Sequence, residues 1–241
     1  QPRKVTMINN CINNIQNKLF LPSCLICGAP GLDNLSICQA CTDKLHDNQK
    51  CCQRCSLPLA TRAQVLCPAC QTSPPGFHSS FIPYQYRGEI INLVRNFTFS
   101  GNMTSGKVLA DLFCRKLTTG NIVKPDLLVP VPLHPSRTRQ RGFNQALWLA
   151  NQIGRQLNIE VNHKLVTRRV NSASQHLLNK QARLNNLKQA FRLENKHLPS
   201  HIAIIDDVVT TGSTANAIAS LFKHNNDIVI QLWAIARTPL K

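Results

Sequence analysis

Four Cys-x-x-Cys pairs, Cys24/Cys27, Cys38/Cys41, Cys52/Cys55 and Cys67/Cys70, crowd the front of this chain. They occupy about fifty residues, too few to be held together by an apolar core alone. Two residues between thiolates let both sulfurs approach one ion from a tight turn, and two such knuckles complete a tetrahedral four-sulfur shell around zinc. Four pairs supply two structural Zn2+ sites, so residues 22–75 read as a double zinc ribbon whose folding free energy comes from metal binding. Joining the first pair to the second and the third to the fourth is the simplest assignment; spacing allows an interleaved one as well. Cys51 stands beside Cys52, but only Cys52 keeps the two-residue gap. No signal-peptide pattern opens the chain, which makes disulfides the weaker expectation. Cys11 and Cys114 stand alone and read as small buried apolar groups. Lys44, Lys50, Arg54 and Arg62 are nearly balanced by Asp33, Asp43 and Asp47, so the module reads as structural or partner-docking rather than DNA-reading. Thr72-Ser73-Pro74-Pro75-Gly76 then breaks regular structure and marks a domain boundary. Ahead of the cysteines, Val5, Ile8, Ile12, Ile15 and Leu19 keep a helical period, so residues 1–21 read as an amphipathic helix and residues 76–241 as the main domain.

Near the other end, Ile202 to Ile205 form an apolar run that suits a strand buried on both faces of a parallel sheet. Asp206 and Asp207 follow, then the turn Thr210-Thr211-Gly212-Ser213-Thr214, then Ala215, Ile218, Ala219 and Phe222 at helical spacing. The turn would wrap backbone N–H groups and hydroxyls around a phosphate at the helix mouth, with Gly212 letting the backbone come close. Two carboxylates repel phosphate but accept hydrogen bonds from the hydroxyls of a ribose. Phosphate on one side and hydroxyls on the other describe 5-phosphoribosyl 1-pyrophosphate (PRPP), with Asp206, Asp207, Val208, Val209, Thr210, Thr211, Gly212, Ser213 and Thr214 as the binding segment. A dinucleotide fold would place several spaced glycines here, where there is one. Hydrophobic run, paired acids and Thr-Thr-Gly-x-Thr, in that order, resemble the PRPP signature of type I phosphoribosyltransferases. That resemblance implies an α/β fold, a parallel sheet flanked by helices, preceded here by the small cysteine-rich zinc module.

A second apolar run, Asp126 to His134, ends in turn residues and is followed by Arg137, Arg139 and Arg141. A strand-end loop with arginines behind it suits pyrophosphate, whose developing charge Mg2+ and fixed cations neutralise as the glycosidic bond breaks. Positioning and electrostatics carry such a reaction, so no residue is assigned as a covalent catalyst. Net charge is +17, from 28 Lys and Arg against 11 Asp and Glu, and it points to polyanionic partners. Between His134 and Lys196, twelve basic residues face only Glu160 and Glu194. Single-stranded DNA is therefore expected on Arg137, Arg139, Arg141, Arg168, Arg169, Lys180 and Arg183, with an affinity that falls as salt rises. Phe143, Trp148 and Phe191 are the available stacking rings. Residues 168–186 read as a mobile flap over the site.

Arg141-Gly142-Phe143-Asn144-Gln145 opens a helix with the core stripe Ala146, Leu149, Ala150, Ile153 and Leu157, and Asn144 suits its cap. This string, Val129-Pro130-Val131-Pro132 before it, Ser174-Gln175-x-x-Leu178 and Arg183-x-x-Asn186 after it, the PRPP segment and the cysteine pairs together resemble the ComF family of competence proteins over nearly the whole chain. The resemblance implies a cytoplasmic protein, with association at the inner face of the membrane, that meets other DNA-uptake machinery and handles incoming single-stranded DNA during natural transformation. It carries the PRPP contacts onto Asp206, Asp207 and Thr210 to Thr214, and the pyrophosphate loop onto Pro132, Leu133 and His134. One departure stands out: where the family's pattern places a lysine, this chain has Thr98, with Arg95 as the neighbouring cation. No apolar stretch reaches the length of a membrane span. Two alternatives share the PRPP segment: an active salvage phosphoribosyltransferase, for which no base-recognition loop is identifiable, and a PRPP-responsive regulator, for which no DNA-reading helix motif is.

Overall fold

The computed structural model describes residues 22–61, 64–120, 122–134, 139, 142–168, 190–194, 198–223 and 227–239. The helix expected over 1–21 and the flap expected beyond Arg168 lie outside them. The chain divides into two compact units between Leu45 and His46.

The smaller unit is built on the first two cysteine pairs. The Cys24 N–H donates to Ala29 O at 2.7 Å and the Gly28 N–H returns to Cys24 O at 2.9 Å. That closure needs a left-handed residue, and Gly28 supplies it at φ +76. Helix α1, Gln39–Thr42, then brings Cys41 back toward Cys38. Leu35, Ile37 and Leu45 are the only sizeable apolar side chains buried among the described residues of this unit besides cysteine, which leaves metal as the principal cross-link.

The larger unit begins with the same device. Cys52 N–H donates to Leu57 O at 2.9 Å, Ser56 N–H returns to Cys52 O at 2.8 Å, and α2, Pro68–Thr72, carries Cys70. Beyond it come β1 (Ser79–Phe81), β2 (Tyr84–Gln85), α3 (Glu89–Ser100), α4 (Met103–Thr119), β3 (Leu127–Pro130), α5 (Gln145–Leu157), β4 (Glu160–Val161), β5 (Val166–Arg168), β6 (Phe191–Leu193), β7 (His201–Val209), α6 (Ser213–Ala219) and β8 (Val229–Arg237). Six strands form one sheet in the order β1-β8-β7-β3-β4, with β2 also alongside β8, and every pairing is parallel. β5 and β6 pair antiparallel as a separate two-stranded ribbon.

Both faces of the sheet are covered, which is why β3, β7 and β8 read as apolar runs rather than alternating strands. Leu127, Val129, Ile202, Ile204, Ile230 and Leu232 share one core with Ala215, Ile218 and Phe222 of the α6 segment and with Val166 and Phe191. From the opposite face Trp233, fully buried, meets Phe113 of α4 at 5.6 Å between ring centroids. The stripe expected on α5 is buried throughout. The sequence ends β7 before the acids, but the strand continues to Val209: Asp206 pairs with Ala234 and Val208 with Ala236. β8 is long enough to keep partnering it, and that partner lies far away in the chain.

β3 and β7 are neighbours, with Pro130 opposite Ile205. From β3 the chain crosses through α5 to β4 on one side; from β7 it crosses through α6 to β8 on the other. The two connections part company at the carboxyl ends of adjacent strands, and in open parallel sheets that divergence leaves a crevice in which ligands bind.

Candidate functional site

The two predicted loops meet at that crevice. Val131 N–H donates to Ile205 O at 2.9 Å, so Pro132, Leu133 and His134 leave β3 directly beside the place where Asp206 and Asp207 follow the buried Ile202 to Ile205 run of β7. Asn144 holds this loop from behind: its Oδ1 caps α5 by accepting from Leu147 N–H at 3.2 Å, while its Nδ2 donates to Val131 O at 3.1 Å. The capping role expected of it is accompanied by a second task that the sequence did not announce.

Each acid is oriented by the chain itself. Asp206 Oδ1 accepts from Asp207 N–H at 3.0 Å, and Asp207 Oδ1 accepts from Val208 N–H at 2.7 Å. The second oxygen of Asp207 accepts from Thr98 Oγ1 at 3.3 Å, and Gln145 Nε2 donates to Thr98 O at 3.3 Å. Thr98 thus contacts Asp207 with a hydroxyl, whereas Arg95 lies on the exposed side of α3. Phe97 fixes this arrangement by packing against Phe143 at 5.3 Å and Trp148 at 5.1 Å, and a Cβ on Gly106 would come within 2.6 Å of its ring. Phe143 and Trp148 are half-buried where they pack on Phe97, and Phe191 is buried.

Removal from water and the adjacent charge of Asp207 push the Asp206 carboxyl well above the usual carboxylate range. Arg168 works in the other direction, since its charge favours the ionised form. Arg168, expected from its charge to meet nucleic acid, ends β5, and its guanidinium lies 5.3 Å from the centre of the Phe191 ring. The hydroxyl-rich turn is closed by its own bonds: Thr211 Oγ1 and Ser213 Oγ are 2.7 Å apart, and Ser213 N–H donates to Thr211 Oγ1 at 3.3 Å. Gly212 takes φ +78, a left-handed conformation that a Cβ would strain even though nothing crowds it. Asp206, Val208 to Thr214 and Ala215 line a small cavity of about 30 Å³. Arg139 is exposed; Arg137, Arg141, Arg169, Lys180 and Arg183 lie outside the described residues.

Arg237 is the residue that reading by motif missed. It ends the apolar strand β8 and is only 4% exposed. Its Nη1 donates to Val209 O at 2.9 Å and also to Thr210 O, while its Nε donates to Cys55 O at 3.0 Å. The available signal was a single cation closing a largely apolar strand of nine residues, which calls for buried acceptors.

The cysteines group as Cys24, Cys27, Cys38 and Cys41, and as Cys52, Cys55, Cys67 and Cys70, with all sulfurs of a group within 4.8 Å of one another. The consecutive assignment is the one the fold adopts. A tetrahedron with metal–sulfur bonds of about 2.3 Å has edges of about 3.8 Å; Cys27 and Cys38 stand 3.6 Å apart and Cys55 and Cys67 3.7 Å. Both donor sets therefore fit zinc. Burial tends to raise the Cys24 and Cys52 thiols, but backbone N–H groups of the facing cysteines Cys38 and Cys67, together with those of their own knuckles, outweigh it and bring them down to about 6 and about 7. Burial raises Cys41 and Cys70 strongly, and Cys55 to about 11, so an ion held there would have to supply the charge that keeps these thiolates ionised.

Comparison with known proteins bears on the same features. Residues 15–71 match the double zinc ribbon domain family. DNA utilization protein YhgH of Escherichia coli is 34% identical over 221 residues, spanning 89% of this chain and 96% of that protein. Competence protein F of Haemophilus influenzae is 31% identical over 208 residues, spanning 83% and 90%. Competence protein ComFC of Streptococcus pneumoniae is 24% identical over 207 residues, spanning 85% and 89%.

Proposed function

Since this chain belongs to the ComF family of competence proteins, we propose that it binds PRPP with Mg2+ in the crevice between β3 and β7 and handles single-stranded DNA during natural transformation. The names of its relatives support a role connected with DNA uptake, and two zinc ribbons accompany it. For PRPP, the carrying observation is that strand pairing places the 132–134 loop next to the 206–214 segment. In this reading Asp206 and Asp207 accept the ribose hydroxyls, Thr210 to Thr214 grip the 5-phosphate, and Pro132 to His134 receive the pyrophosphate with Mg2+. A metal cation would also relieve the repulsion within the acid pair, since opposite charge favours ionisation of a carboxyl that burial has raised. On this reading residues 22–75 carry the metal ligands and residues 76–241 the ligand site, although the second ribbon belongs to the same compact unit as the sheet.

DNA contact rests on charge: the surplus between His134 and Lys196 would follow phosphates, in the cytoplasm on this reading. No helix among the described residues is long and apolar enough to cross a membrane. Titration calorimetry with PRPP and Mg2+ tests the first part. Binding is expected in the intact protein and is expected to vanish in Asp206→Asn with Asp207→Asn; equal binding in both would remove the site. Replacing Arg137, Arg139 and Arg141 by Ala should weaken binding of a single-stranded oligonucleotide and flatten its salt slope. Release of pyrophosphate with a free base would reassign the protein to nucleotide salvage.

A further inference from the structure

The buried Arg237 links two parts of the larger unit that chemistry would not otherwise connect. Its guanidinium reaches Cys55 O, the carbonyl of a metal-ligating residue, and the carbonyls of Val209 and Thr210, where the hydroxyl-rich turn begins. We propose that Arg237 is a positioning residue through which the Cys52/Cys55/Cys67/Cys70 zinc site holds the 208–214 turn in its ligand-gripping shape.

Three lines of chemistry lead there. A guanidinium keeps its charge under all ordinary conditions, and its planar fork spreads its donors in fixed directions to acceptors that lie apart, whereas the donors of a lysine ammonium radiate from a single nitrogen. Burying that charge is costly unless something compensates it. Carbonyl dipoles do part of this, and a zinc ion with four thiolates, net charge −2, provides an anion on the same knuckle. The metal therefore stabilises the arginine, and the arginine fixes the two carbonyls that set the orientation of the following N–H groups. A second tie runs alongside it: Gly76 N–H, in the segment leaving the ribbon, donates to Asn216 Oδ1 in α6 at 2.7 Å. Arg54, inside the same knuckle, donates from Nε to Phe77 O at 3.1 Å, so the ribbon is fastened to the start of the sheet as well. The first cluster falls in the unit that ends at Leu45, and no such role is assigned to it.

The proposal takes the turn to be the PRPP site, so its test needs one reading that does not depend on PRPP. Amide hydrogen exchange of Val208 to Thr214 in the full-length protein provides it, with the Leu127 to Val129 amides of β3 as internal reference and zinc content measured in parallel. Arg237→Met should keep two zinc ions per chain, speed exchange in the turn by about tenfold, leave β3 within about twofold, and weaken PRPP binding by about tenfold. Arg237→Lys should restore little of this. Cys67→Ser with Cys70→Ser should reproduce the fast-exchanging turn, and Cys38→Ser with Cys41→Ser should not. Unchanged turn exchange in Arg237→Met would overturn the proposal. So would equal effects of the two cysteine variants, or β3 and the turn losing protection together, since the brace would then act on the whole fold. If the intact protein fails to bind PRPP, the site assignment falls while the exchange comparison still decides whether the brace exists.

Discussion

The two zinc ribbons share one local design and differ in what surrounds it. In each, the first cysteine of the leading knuckle closes a turn of the same hydrogen bonding, the facing sulfurs stand 3.6 or 3.7 Å apart, and a short helix carries the last ligand. At the turn, the first ribbon uses Gly28, around which a Cβ would meet nothing within 4 Å. The second uses Ser56 at φ +52, a conformation that costs a side-chain-bearing residue about 1–2 kcal/mol. Ser56 offsets that cost through its surroundings: it is almost fully buried, its Oγ lies 2.7 Å from Ser80 Oγ on β1, and its carbonyl accepts from the buried Asn48 at 2.8 Å, which also donates to Ile82 O. The first ribbon sits in the unit where metal is the main cross-link, whereas the second is part of the sheet's own hydrogen-bond network. Identical metal chemistry can therefore act as the fold in one place and as a joint in another.

The largest effect should come from taking the metal away. Structural zinc contributes on the order of 10 kcal/mol in isolated ribbons and fingers. Loss of the second site by Cys52→Ser with Cys55→Ser is thus expected to lower the main thermal transition by well over ten degrees, on the order of several kcal/mol. Loss of the first site should leave that transition nearly in place. Matching shifts from the two variants would erase the distinction drawn between the ribbons.

Next in size, Ser56→Ala removes the hydroxyl bond but keeps the left-handed strain, at an expected cost of about 1–2 kcal/mol. Ser56→Gly removes both and should come out close to neutral. At the equivalent turn, Gly28→Ala adds strain alone, about 1 kcal/mol. Chemical denaturation of the three variants would sharpen the comparison, and a Ser56→Ala protein as stable as the parent would show that the Ser80 contact carries nothing.

The smallest effect concerns Asp206 on β7. Because the Asp206 carboxyl is raised, the folded state disfavours its ionised form, so stability is full below the ordinary carboxylate value near 4 and declines as pH rises toward the raised one. Asp206→Asn should then raise the unfolding midpoint at pH 7 while the difference from the parent closes near pH 4. A gain that persists unchanged at pH 4 would point to packing rather than charge.

The ligand residues were open to sequence reading because their chemistry is local. Cys-x-x-Cys spacing names the eight thiolates, and an acid pair followed by Thr-Thr-Gly-x-Thr names a turn, without any knowledge of what lies beside them. Periodicity likewise located the buried stripe of α5 and the helix after the turn, both of which follow from a face that must leave water. What Thr98, Arg168 and Arg237 touch escaped the same treatment. Each acts on the 206–214 segment from another element: Thr98 by a hydroxyl across from α3, Arg168 by its field from β5, Arg237 by hydrogen bonds from the end of β8.

By itself, then, the sequence determined which residues could bind metal and which turn could hold a phosphate, since those properties depend on atoms a few bonds apart. Tertiary structure alone decided that the cysteine pairs join in consecutive order, that β3 and β7 lie side by side so their loops share one crevice, and that Arg237 meets Cys55, 182 residues away, together with the turn. Such decisions rest on strand pairing and on the burial of a charge that must find acceptors wherever the fold provides them.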